Sequence, residues 1–271
     1  MLSILLTVLL CFWSFAVQVE SVRDTADATE VRDSTNQSAP DSALVDSAAR
    51  FQVAELPVME VRVERITVTD MQLQDTLDVI LDAGGGAIAG FDLKIGMDDR
   101  DVDIVEILPG RLQDSCGWKY FNANRSETIN RENHPRLTWH VVALSQLIPE
   151  GEQPICYEFD ADVSIMRLVV SNEHVRETPD KKVPIYFFWE DCSDNTVSDR
   201  SGRQTMISRR LYDYSGAQPD SSARTFPSRT GAPPQCIRLN VQNPMKRLVD
   251  FHNGLIEFRF ELAEPDSAGT D

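Results

Sequence analysis

The sequence predicts an all-β chain folded as an antiparallel β-sandwich. Apolar and polar residues alternate with period two along a succession of short segments. Turn-forming residues, among them Pro109-Gly110 and Asn253-Gly254, separate these segments. With 271 residues, the chain can bury a sizeable core as one large domain or two small ones.

Met59, Val61 and Val63 alternate with Glu60, Arg62 and Glu64. Phe91, Leu93, Ile95 and Met97 alternate with Asp92, Lys94 and Gly96. Further apolar sets are Leu137, Trp139, Val141, Ala143, then Tyr157, Phe159, Ala161, Val163, Ile165, and then Val183, Ile185, Phe187, Trp189. The last set is Ile256, Phe258, Phe260 and Leu262. Each reads as a strand with one apolar and one wet face. From Val102 to Leu108 the parity changes midway, as a β-bulge requires. Leu73, Leu77, Ile80 and Leu81 have helical spacing, but Leu77, Val79 and Leu81 fit a strand equally well. The β pattern on either side favours the strand. Residues 190–236 are polar and read as long loops around one strand, Thr205 to Tyr212.

The ends carry different expectations. Leu2 to Val17 is almost wholly apolar and short for a membrane span, and Ser14 and Ala16 within it are small residues suited to cleavage after Ala16. Residues 1–16 therefore read as a signal peptide, although no Lys or Arg precedes the apolar run. Such a chain is secreted or held at the cell surface and has no transmembrane domain once mature. Residues 17–52 are rich in Ser, Thr, Asp, Ala and Glu and read as a disordered linker, with a short helix possible from Ser42 to Phe51. The sandwich is placed at 53–264 and a disordered tail at 265–271. Cleavage would leave Cys116, Cys156, Cys192 and Cys236, an even number that implies two disulfides in an exported chain. Three pairings are possible; Cys116–Cys156 with Cys192–Cys236 closes the shorter loops.

The formal net charge of −17 repels phosphate backbones and anionic membranes, which excludes nucleic acid as a natural partner. No nucleophile elbow, phosphate loop or dinucleotide fingerprint is present. His134, His140, His174 and His252 show no metal-binding spacing on a helix. With 43 carboxylates, nominating any pair as a glycosidase dyad carries no information. The chain therefore reads as non-catalytic. No cofactor is required by the sequence, but calcium stays open at two acidic clusters. One is Asp98, Asp99, Asp101 and Asp103; the other is Asp191, Asp194, Asn195 and Asp199. Against each stands a solvated turn, and Arg100 would repel an ion at the first. Trp118 and Tyr120, with Phe121 beside them, are candidates for a ligand-binding aromatic platform. Trp189 shares the phase of Ile185 and Phe187 and reads as core.

Ile88-Ala89-Gly90-Phe91-Asp92-Leu93-Lys94-Ile95-Gly96-Met97-Asp98, continued by Val105-Glu106-Ile107-Leu108-Pro109-Gly110, resembles the cohesin pattern. Asp114 to Phe121, Val183 to Thr196 and Val249 to Gly254 resemble motifs of cohesin-like secreted bacterial proteins. The resemblance spans about residues 57–262. It implies a jelly-roll sandwich of the kind that cohesins share with several carbohydrate-binding modules. It also implies a binding role: docking of a dockerin-like protein, with polysaccharide binding as the alternative. The docking face of cohesins offers no motif that assigns a binding residue here.

Overall fold

The computed structural model describes residues 57–69, 74–128, 133–145, 162–172, 180–218, 225–238 and 242–260. The expected signal peptide, linker and tail, Cys156, His174 and the segment from Tyr157 to Ala161 lie outside them.

Thirteen strands and one short helix are described: β1 (Met59–Val63), β2 (Arg65–Val68), β3 (Gln74–Asp82), β4 (Ile88–Met97), β5 (Asp103–Pro109), α1 (Arg111–Cys116), β6 (Tyr120–Glu127), β7 (Leu137–Leu144), β8 (Val163–Ser171), β9 (Asp180–Phe187), β10 (Thr196–Asp199), β11 (Thr205–Tyr212), β12 (Lys246–His252) and β13 (Gly254–Arg259). One layer runs β6-β7-β4-β9-β13-β2 and the other β5-β8-β3-β1-β12-β11. Strand β10 pairs with the first half of β4 and with β11, so it links the layers at one side. The core lies between them. Val61, Leu77, Val79, Leu93, Ile95, Val141, Ile185 and Phe251 are each fully buried. Burying one such side chain is worth about 1.5–3 kcal/mol.

The ambiguous segment is strand β3. Its burial alternates through Leu77, Val79 and Leu81, because a residue period of two aims all three at the core. The parity change in β5 is a real irregularity: its register with β8 shifts between Ile104 and Glu106, leaving Val105 exposed. Strand β11 has the bounds the sequence suggested.

Two features differ from the antiparallel expectation. First, β1 with β12, β11 with β12, and β2 with β13 are parallel pairs. Second, Asn253-Gly254 is not a hairpin turn. Strands β12 and β13 lie in different layers, and the chain crosses between them here. Its parallel neighbour crosses at Glu64, between β1 and β2. A Cβ on Gly254 would lie 2.4 Å from Val63 Cγ1 and 2.7 Å from the Glu64 carbonyl oxygen, so the two corners can nest only with glycine there. The Asn253 side chain then accepts the Phe187 amide at 3.0 Å and fastens the corner to β9.

A disulfide joins Cys192 to Cys236 across a sequence separation of 44, as expected. Cys116 is also disulfide-bonded, while Cys156, its expected partner, is outside the described residues. The first bond ties the loop after β9 to the 3₁₀ turn Pro234–Arg238. Replacing both Cys192 and Cys236 with serine is expected to cost about 2–4 kcal/mol, since it frees a long loop in the unfolded chain. Equilibrium urea denaturation of the double variant checks this.

Candidate functional site

The outer face of β6, β7 and β4 is the surface on which exposed apolar and polar side chains converge. Register fixes its rows. Tyr120 lies opposite Leu144, Asn122 opposite Val142, and Asn124 opposite His140. On β4, Gly90 follows Leu144 in the same row, Asp92 follows Val142, and Lys94 follows His140. Ser198 and Thr196 of β10 extend the first two rows. Because sides alternate along a strand, Leu137, Trp139, Val141 and Ala143 enter the core while His140, Val142 and Leu144 stay outside.

Tyr120 and Leu144 are 48% and 45% exposed, which makes this cross-strand pair the most exposed apolar contact among the described residues. Gly90 shapes the ground beneath them. A Cβ there would stand 2.6 Å from Leu144 Cδ2 and 2.9 Å from Ser198 Oγ, so glycine lets Leu144 lie close against β4. β6 is an edge strand that pairs only with β7 among the described residues.

Charged groups flank the apolar pair. Asp92 Oδ1 lies 2.7 Å from His140 Nε2. Burial raises the Asp92 carboxyl above its usual pKa, with the His140 imidazole opposing. Lys94 Nζ reaches Glu190 Oε2 at 2.5 Å and Asp194 Oδ1 at 3.2 Å. Burial works against the Lys94 ammonium, yet the hydrogen bond it donates to Glu190 and the Asp194 charge hold its pKa above the ordinary value. Ligand atoms of Asp92, His140 and Asp194 lie within 4.8 Å of one another, but Lys94 already supplies positive charge beside them.

The structure bears on two sets of candidate site residues. The first is Asp191, Asp194, Asn195 and Asp199, weighed for calcium against a solvated turn. Asn195, at φ 54°, accepts the Lys94 amide through Oδ1 and donates to the Phe188 carbonyl through Nδ2. Asp194 accepts the amides of Glu190 and Asp191. Asp191 caps Ser193, and Asp199 closes the turn to Gln204. Each of these four side chains serves a local hydrogen bond. The other acidic cluster is a charge-paired turn: Arg229 holds Asp98, Lys181 holds Asp99 and Asp101, and Arg136 holds Asp103.

The second set is the aromatic platform, which the structure corrects. Trp118 is 2% exposed and stacks on Phe91 with ring centroids 6.2 Å apart. Phe121 faces inward and is partly buried against the core. Of these three rings only Tyr120 stands on the surface. Trp189 is fully buried, as its phase implied. Sequence reasoning missed Leu144. Its signal was present: Val142 and Leu144 are two apolar residues on the wet side of an otherwise regular strand.

These elements define a jelly-roll β-sandwich. Solved structures similar to it are cohesin modules. One belongs to a type I cohesin–dockerin complex from Clostridium thermocellum, with 13% identity, a TM-score of 0.43, and 76% of this chain and 96% of that chain covered. Another is a type III cohesin module from the cell-surface anchoring scaffoldin of Ruminococcus flavefaciens, with 13% identity, a TM-score of 0.42, and coverage of 77% and 92%. A third is a non-cellulosomal cohesin from Archaeoglobus fulgidus, with 10% identity, a TM-score of 0.37, and coverage of 76% and 94%. No family model and no curated protein matches the chain.

Proposed function

We propose that the chain is an extracellular, non-catalytic binding module of cohesin type that receives a dockerin-like protein on the outer face of β6, β7 and β4. The observation that carries this reading is the exposed Tyr120–Leu144 pair. With Val142 it forms a small apolar centre, and Asn122, Asn124, Asp92 and His140 form a polar rim. A centre of this kind inside such a rim is the anatomy of a protein-binding patch. The cohesin resemblance of the sequence supports a dockerin-like partner. The buried Trp118 counts against a polysaccharide platform, which needs more than one exposed ring. The Cys192–Cys236 disulfide supports an oxidising, extracellular setting. In this reading the chain carries no cofactor, and calcium serves the partner.

Calorimetric titration of the full chain with calcium-loaded dockerin modules tests the assignment. Tyr120→Ala is expected to weaken binding at least about tenfold, as loss of a central aromatic anchor does. Val105→Ala, at an exposed apolar residue on β5 in the other layer, is expected to leave affinity within about twofold. Equal affinity for the Tyr120 variant and the parent chain would remove this face from the reading.

A further inference from the structure

A cavity of about 310 Å³ opens beside β11, on the far side of the β10–β11 link from β4, and three arginines line it. Their charges are balanced differently. Arg209 is neutralised: its Nε and Nη2 bind Asp250 at 2.9 and 2.5 Å. Among the described residues Arg247 donates only to backbone carbonyls, those of Ser208, Ala232 and Pro233. Those three bonds use three of the five guanidinium donors. Arg210 donates, among the described residues, only to the Tyr212 hydroxyl, at 3.4 Å. Among the described residues neither Arg210 nor Arg247 has a carboxylate partner, and no acidic residue lines the cavity.

That is unexpected in a chain with 43 acidic and 26 basic residues. Desolvation lowers the Arg247 pKa, and an anion in the cavity would relieve it. Thr230 and Gln218 add neutral hydrogen-bonding groups to the lining, and Leu211 adds an apolar wall. The volume exceeds that of a bare oxyanion and suits a ring of single-sugar size. We infer that this cavity is a binding site for a small carboxylated ligand, sized like one acidic sugar, whose carboxylate lies between Arg210 and Arg247. Guanidinium forks match planar carboxylates in two parallel hydrogen bonds. The site is separate from the β6–β7–β4 face, and the inference does not rest on the docking role.

Calorimetry on the full chain tests it with three probes: galacturonate, galactose and sulfate. Galacturonate is expected to bind saturably, galactose not to bind, and sulfate to bind at least about tenfold more weakly than galacturonate. Arg210→Gln lies at an exposed position, and its melting temperature checks the fold. It is expected to weaken galacturonate binding at least about tenfold. Arg247→Lys keeps the charge without the fork and is expected to weaken it as well. No saturable galacturonate binding, equal binding of galactose, sulfate as tight as galacturonate, or full affinity in a folded Arg210→Gln protein would each overturn the assignment.

Discussion

Replacing Asp194 with alanine is expected to destabilise the protein by about 3–5 kcal/mol, the loss that follows when one partner of a buried ion pair is removed. The Asp194 side chain is 3% exposed and the Lys94 side chain 12%. Besides its contact with Lys94, Asp194 Oδ2 accepts the Glu190 and Asp191 amides at 2.6 and 2.9 Å. Alanine strands both donors and leaves Lys94 with Glu190 alone of its two carboxylates. Asp194→Asn keeps an oxygen for the two amides and loses only the charge, so its effect is expected to be smaller. Urea denaturation of both variants measures the difference. An alanine variant within about 1 kcal/mol of the parent would show that the 190–195 loop draws its order from elsewhere.

Phe251→Ala is expected to cost a similar about 3–5 kcal/mol, through lost transfer energy and the cavity left behind. Phe251 lies on β12 and is fully buried. Its ring meets Phe187 edge-on at 4.7 Å and Trp189 at 5.7 Å. Phe187 belongs to β9 in the opposite layer, so this cluster fastens one sheet to the other. Phe251→Leu fills most of the volume and is expected to lose less. A drop in the denaturation midpoint at unchanged slope would locate the effect in the native core.

Several strands with one buried face were legible, but β12 was not read as a strand, and the set from Tyr157 to Ile165 met β8 only at its first residues. β3, β4 and β7 each show the period-two pattern that burial imposes, whereas β11 is bulged and buries Met206, Ile207 and Ser208 in succession. β6 was not legible, because it is an edge strand. Asn122, Asn124, Arg125, Ser126 and Glu127 face solvent, and no apolar alternation marks them. β2 and β10 were missed because four residues are too few to show a period. Asn253-Gly254 was legible as a turn but not as a crossing, because sequence cannot show whether two successive strands pair or part. The bonding of the acidic loop was hidden for a related reason. Asp191, Asp194, Asn195 and Asp199 are close in sequence, but Asn195 and Asp194 reach Lys94 on β4, which only the folded register brings near. Tyr120 was identified from its residue type. Its partner Leu144 became visible only once β6 and β7 were paired.

Amide hydrogen exchange of the full chain, free and bound to a dockerin module, tests the central claim most directly. As an edge strand, β6 has amides that point away from β7 and exchange freely until covered. The docking reading predicts that binding slows exchange in β6 and along its neighbours β7 and β4, with β5 and β8 of the other layer unchanged. Protection confined to β5 and β8, with β6 as fast as in the free chain, would contradict it.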